Sequence, residues 1–300
     1  MAFWIPITVA AALFQTLRFM LQRQLSLGTL SASGATLARF LYSSPLVVVL
    51  IVIYMTVSKQ AWPSLKAEFW LFGALGGLAQ ILATVATVKL FQARNFAVGI
   101  TFKKTEVMQA VLVGWLLLGD AVSFAGFSAI GLGLIGVLLL SAPPEMRHWT
   151  WRDLANRSTG LGLMAGLFFA VSGVCYRGAS LSLDLSDPLA RAGLTLAAVT
   201  AMQTVAMVLW LRWREPGQVA AVWGARRIAV WVGLMSMAGS FCWFTAFTLQ
   251  NAAYVNAVGQ VELVMSALAS VLIFREAISA REWLGMAVLL ASILLLIVVI

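Results

Sequence analysis

The chain has 300 residues, of which 62% are hydrophobic and only 10% charged, with a formal net charge of +9. Soluble domains carry about 45–50% apolar and about 25% charged residues, so this chain lacks the polar side chains to coat a water-facing exterior, and lipid must be its main solvent. The positive excess then reads as Arg and Lys in short loops that set orientation against a membrane, with no nucleic acid expected as a partner.

A hydrocarbon core of about 30 Å needs about 20 apolar residues of helix. Apolar runs of that length recur along the chain, and they are continuous rather than alternating, which favours helices over a strand barrel. In chain order the predicted spans are Phe3–Leu21, Ser33–Met55, Phe69–Leu90, Ala97–Leu118, Val122–Leu140, Thr159–Tyr176, Pro188–Leu211, Ile228–Leu249, Tyr254–Phe274 and Arg281–Ile300. The start, Met1-Ala2-Phe3-Trp4, lacks the basic region of a cleavable signal peptide, so the first helix is expected to be retained. The expected fold is an all-α integral membrane protein of ten transmembrane helices. Cys175 and Cys242 fall in separate apolar runs without metal-ligand spacing and read as packing residues.

The longest charged link begins Ser141-Ala-Pro-Pro144, and proline ends a helix. It divides the chain into residues 1–142, a connecting loop 143–158, and residues 159–300. Sliding the second half back by 156 residues lays Asn95 on Asn251, Glu106 on Glu262, Asp120 on Glu276 and Ser123 on Ser279. An offset of 154 lays Arg23 on Arg177, and one of 152 lays Arg39 on Arg191. Five crossings per half make the second repeat insert upside down relative to the first. Inverted repeats are a recurring design for alternating access, with the substrate near the midplane between them.

The segments Glu106-Val-Met-Gln-Ala-Val-Leu-Val-Gly-Trp-Leu-Leu-Leu-Gly119-Asp120 and Glu262-Leu-Val-Met-Ser-Ala-Leu-Ala-Ser-Val-Leu-Ile-Phe-Arg275-Glu276 each separate two acids by fourteen residues. In this the chain resembles the ten-helix, EamA-type members of the drug/metabolite transporter superfamily, whose pattern is an acid–proline pair followed by a helix-ending Gly-Glu. The departures are Val107 and Leu263 in place of proline, Arg275 in place of glycine, and the unusual Lys103-Lys104. The resemblance implies export or exchange of small metabolites, often amino acids, with no cofactor and no enzymatic activity. It also implies a multi-pass protein of the cell inner (plasma) membrane.

Ionisable groups inside lipid are costly and usually face the bundle interior. Lys103 and Glu106, three apart, share a helix face and can pair. Lys104 lies on another face and needs a partner, water or a bound anion; one candidate partner is Glu262. Glu262 is a candidate site for a coupling proton or for a structural interhelix bond, with Asn256 and Gln260 forming a polar stripe beside it. Arg39 and Arg191 either clamp a carboxylate or phosphate or snorkel to the interface. Asp120 and Glu276, at helix-end turns, are expected to cap the next helix. Trp115 and Trp243, with Phe102, Phe244 and Tyr254, are candidates to line an apolar substrate pocket or to pack the core. Most other tryptophans, Trp4 among them, read as interfacial anchors.

The leading expectation is a secondary transporter for a small amino acid or related carboxylate-bearing metabolite. Efflux of cationic drugs is the runner-up; small multidrug exporters of the superfamily use a glutamate in helix one, where this chain has Gln15 and no acid. Sugar-nucleotide or phosphorylated-sugar exchange is a third reading, and a non-transporting membrane scaffold a fourth from a different class. Loops after odd-numbered helices carry far more Arg than those after even-numbered ones, which places both termini away from the cytoplasm.

Overall fold

The computed structural model describes residues 3–28, 30–91, 96–141, 157–265 and 279–299. The chain is an all-α, multi-pass membrane protein. Its helices are α1 (Trp4–Ser26), α2 (Ala32–Val57), α3 (Ala67–Phe91), α4 (Phe96–Lys103), α5 (Glu106–Leu118) and α6 (Phe124–Ser141), followed by α7 (Arg157–Leu181), α8 (Pro188–Arg214), α9 (Gln218–Gly224), α10 (Arg226–Leu249), α11 (Ala252–Gly259) and α12 (Ala280–Val299). Residues 261–265 are also helical. Seven of these helices are long and apolar enough to cross a bilayer, and Phe124–Leu140 is a shorter apolar helix.

Large apolar side chains cover the exterior, among them Leu71, Leu78, Leu116, Leu294 and Val298. Soluble monomers rarely expose apolar patches of more than a few hundred Å², and here lipid supplies the complementary solvent. Trp62, Trp70, Trp213, Trp223 and Trp283 are exposed as interfacial anchors would be, whereas Trp4 is buried in the core. The expectation for Trp4 is therefore corrected.

Two predicted spans are not single helices. The span Ala97–Leu118 breaks between α4 and α5, where the amides of Lys104 and Thr105 bond to the carbonyls of Thr101 and Phe102 three residues back. The span beginning at Tyr254 breaks after α11, where the amides of Gln260 and Leu263 do the same with Ala257 and Gln260. Such tightened turns interrupt the α-helical ladder. Neither Pro nor a positive-φ residue stands there, so no local breaker announces them. The loop 143–156, together with Asn95, Arg275 and Glu276, lies outside the described residues.

Helix pairing follows a pattern. α1 packs on α10 and α3 on α7; α2 packs on α8 and α6 on α12. At one end the α1–α2 turn joins the α8–α9 turn: the Ser31 amide donates to Gln218 Oε1 at 3.0 Å and its hydroxyl to Glu215. At the other end the Tyr54 hydroxyl and Gln60 Nε2 both donate to Asp187 Oδ2, at 2.7 and 3.2 Å.

Glycines set the closest approaches. A Cβ on Gly162 of α7 would lie 2.1 Å from the Gly99 carbonyl of α4, and one on Gly136 of α6 would lie 2.7 Å from the Leu289 amide of α12. Small residues let backbones meet in this way, giving van der Waals contact where lipid offers no hydrophobic drive between helices. Gly119, with φ +66°, ends α5 in the left-handed conformation that lets its own amide reach the Trp115 carbonyl. Gly162→Ala is expected to lower stability by roughly 1–3 kcal/mol through overpacking. Gly160→Ala, one turn-face away with nothing within 4 Å, should be neutral or stabilise by up to about 1 kcal/mol; thermal unfolding in detergent compares the two.

Candidate functional site

The two tightened turns meet in the bundle interior and carry its charge. At the first, Lys103 Nζ stands 3.7 Å from Glu106 Oε2. At the same turn Lys104 Nζ donates to Glu262 Oε1, across to the second turn. In return Gln260 Nε2 donates to Glu106 Oε1 at 3.3 Å. Each turn thus sends a donor to the acid beyond the other turn. Both donors and both acids are separated by the same 156 residues, Lys104 to Gln260 and Glu106 to Glu262. From α1, Gln15 Nε2 adds a bond to Glu262 Oε2 at 3.1 Å. Lys103 lies against the rings of Phe169 and Phe19, 4.8 and 5.4 Å from their centroids, a stabilising placement for an ammonium removed from water.

Beside this crossing is a cavity of about 50 Å³ walled by Arg39, Glu106, Lys103, Asn256, Trp243 and Phe247 among others. Arg39 is buried; its Nε, Nη1 and Nη2 donate to Ser236, Thr84 and Ser240 at 2.9, 3.2 and 3.0 Å. The opposite wall is aromatic: Trp243 stacks on Phe247 with centroids 5.5 Å apart, and Tyr176 on Phe244 at 4.1 Å. Lys103 also borders a second, larger cavity of about 220 Å³, which lies toward the ends of α1 and α3 and is lined by Met20, Arg23, Thr87, Lys104 and Glu262. At the opposite end of the bundle Arg177 Nε pairs with Asp120 at 2.8 Å, and its Nη1 reaches the Phe247 and Gln250 carbonyls.

Of the side chains singled out from sequence, Arg39, Lys103, Glu106, Trp243 and Asn256 share the small cavity, while Lys104 and Glu262 share the larger one. Gln260 joins through Glu106. The others lie elsewhere. Trp115 is 61% exposed on the lipid face of α5, whose inward side is Ala110, Val113 and Gly114. Arg191 donates to the Leu185 carbonyl within its own helix-entry turn, neither clamping a ligand nor snorkelling. Tyr254 is buried, its hydroxyl accepting from the Ser123 amide at 3.3 Å. Phe102 is half-buried on α4 and lines neither cavity. Asp120 serves Arg177, and the capping expected of it falls to Ser123, which accepts from the Gly126 amide.

Sequence reasoning missed Arg18. It is buried on α1, donates to Gln22 Oε1 at 2.7 Å and lies over Phe19. The signal was present: Gln15, Arg18 and Gln22 form a polar stripe at helical spacing on an otherwise apolar helix. Among the described residues no group of three or more His, Cys, Asp or Glu could hold a metal ion.

Removing one member of a buried ion pair strands the other and costs about 3–5 kcal/mol, whereas removing both costs far less. Lys104→Met and Glu262→Gln are each expected to destabilise the protein, and the double variant to recover much of the loss, as a double-mutant cycle of thermal stability would read.

Comparisons with known proteins agree with this architecture. Among curated proteins none matches the chain. Twenty-eight chains of solved structures do. One, described as a crystal structure of a protein, is similar over 97% of this chain and 99% of its own, with a TM-score of 0.63 at 16% identity, a likeness of fold. Residues 158–298 match the model of the EamA-like transporter family, a family of transporters and not of enzymes.

Proposed function

We propose that the chain is a secondary transporter of a cell inner (plasma) membrane, moving a small carboxylate-bearing metabolite, amino acids among them, by alternating access. In this reading residues 1–142 and 159–300 are inverted five-helix repeats joined by 143–158, and the broken pairs α4/α5 and α11/261–265 are the fourth span of each. The observation that carries it is the reciprocal bonding of Lys104 to Glu262 and of Gln260 to Glu106 beside a polar cavity. Interrupted helices around a midplane site are how membrane transporters free polar groups for a substrate without exposing backbone to lipid.

The helix pairings support the repeat. Exchanging the halves turns the α1–α10 contact into the α7–α3 contact and returns α2–α8 and α6–α12 to themselves. The larger cavity lies at the end that carries Arg23, Arg212, Arg214, Arg226 and Arg227, the cytoplasmic end by the positive-inside rule. The Arg177–Asp120 cluster holds the other end shut.

Arg39 and Lys103 at the cavity wall disfavour a cationic drug. A cavity of about 50 Å³, far below the 300–1,000 Å³ of drug-sized sites, disfavours a sugar nucleotide in this state. Glu262 is placed to carry a coupling proton: a substrate carboxylate that takes Lys104 releases it to accept one. A non-transporting scaffold would be indifferent to these residues.

Purified protein in liposomes is expected to take up a small carboxylate faster under an imposed proton gradient, and Glu262→Gln to lose at least tenfold of that acceleration. A panel of amino acids and organic acids that are all excluded would overturn the reading. A single cysteine replacing Met20, with Cys175 and Cys242 changed to Ala, is expected to react with a membrane-impermeant maleimide from the basic face only, and more slowly with substrate present. Labelling from both faces at equal rates would count against alternating access.

A further inference from the structure

The charges in the bundle interior do not balance. Among the described residues the buried cations are Arg18, Arg39, Lys103 and Lys104, and the carboxylates facing them are Glu106 and Glu262. Both acids are held by the lysines. The two guanidiniums have only neutral partners: hydroxyls for Arg39, and an amide oxygen and a ring for Arg18.

An uncompensated charge inside a bilayer is expensive and marks a functional group. Three of the five N–H donors of a guanidinium are occupied on Arg39, by Ser236, Thr84 and Ser240. These hydroxyls fix the plane of the fork without neutralising it. Two N–H groups remain on a side chain that lines the cavity, the number a carboxylate or phosphate takes in bidentate contact.

The same wall is hostile to a ligand ammonium. Its one carboxylate among the described residues, Glu106, is already committed to Lys103 and Gln260, and the other charges on it are positive. The aromatic pair Trp243–Phe247 across the cavity offers an apolar surface for the remainder of the cargo.

We propose that the cargo is a net anion, seated by a carboxylate or phosphate group on the Arg39 guanidinium with Ser240 beside it, rather than a zwitterionic amino acid. This rests on the transport reading above and narrows its substrate class.

Three near-isosteric probes test it on the full chain in detergent: lactate, a monoanion; alanine, a zwitterion; and alaninamide, a cation. Binding is followed by calorimetry. Lactate is expected to bind at least tenfold more tightly than alanine, with alaninamide weakest. Arg39→Gln should lose at least tenfold of the lactate affinity, and Arg39→Lys, which keeps the charge and loses the fork, should fall between. Inorganic phosphate that competes with lactate assigns the site to phosphate compounds as well; phosphate that does not compete confines it to carboxylates. Should Arg39→Gln fail to fold, the lactate-to-alanine ratio of the unmodified protein decides alone. Alanine binding as well as lactate, or lactate affinity untouched by Arg39→Gln, overturns the proposal. Parallel uptake in liposomes separates the two claims. Binding of lactate without uptake of any solute sinks the transport reading and leaves the anion site, whereas uptake of alanine with no preference for lactate does the reverse.

Discussion

Charge inside hydrocarbon must be answered by charge or by hydrogen bonds, and the centre of this molecule is arranged around that demand. Lys104 cannot reach Glu106 on its own helix, so it crosses to Glu262, and Gln260 crosses back to Glu106. Both crossings need the two helices to open where they meet, and both helices are interrupted there. The close glycine contact of α7 with α4, through Gly162, and the seat of Gly166 against the Lys103 carbonyl bring the first turn into place. Packing between apolar surfaces then fixes a polar core that could not form alone.

The scaffold is nearly two-fold and the chemistry is not. Where one turn has Lys104, the other has neutral Gln260; where one has Lys103, the other has Gly259. A Cβ on Gly259 would lie 2.4 Å from the Trp243 ring, so the missing side chain makes room for the aromatic wall, whereas Lys103 supplies charge to the facing side. Duplication explains the shared frame, and divergence at a few buried positions turns it into a cavity with a positive side and an aromatic side.

Much of the architecture was legible in the sequence because lipid imposes a length and a composition on each helix, and because matched charges stand out against Leu and Ala. The pairing of Lys103 with Glu106 followed from helical spacing. The interruptions at Lys104–Thr105 and at Gln260 did not, since no Pro or positive-φ residue marks them and an unbroken apolar window hides a turn formed for tertiary reasons. Trp115 was misplaced because depth along a helix says nothing about which face a ring takes. Arg191 and Asp120 were misread because their partners, Leu185 and Arg177, are set by how turns and helix ends meet in space. Arg18 was overlooked because an arginine toward a helix end resembles an interfacial one.

The Gly99–Gly162 contact bears on how the bundle can deform. With a carbonyl oxygen seated against a bare Cα, α4 and α7 have no slack between them and must travel as one body. At the positions that the repeat offsets relate to these, Val255 and Thr8, both residues have side chains, so α11 and α1 meet through deformable atoms. Rocking between the two halves would therefore be absorbed on the α1–α11 flank, with the α4–α7 flank serving as the rigid lever.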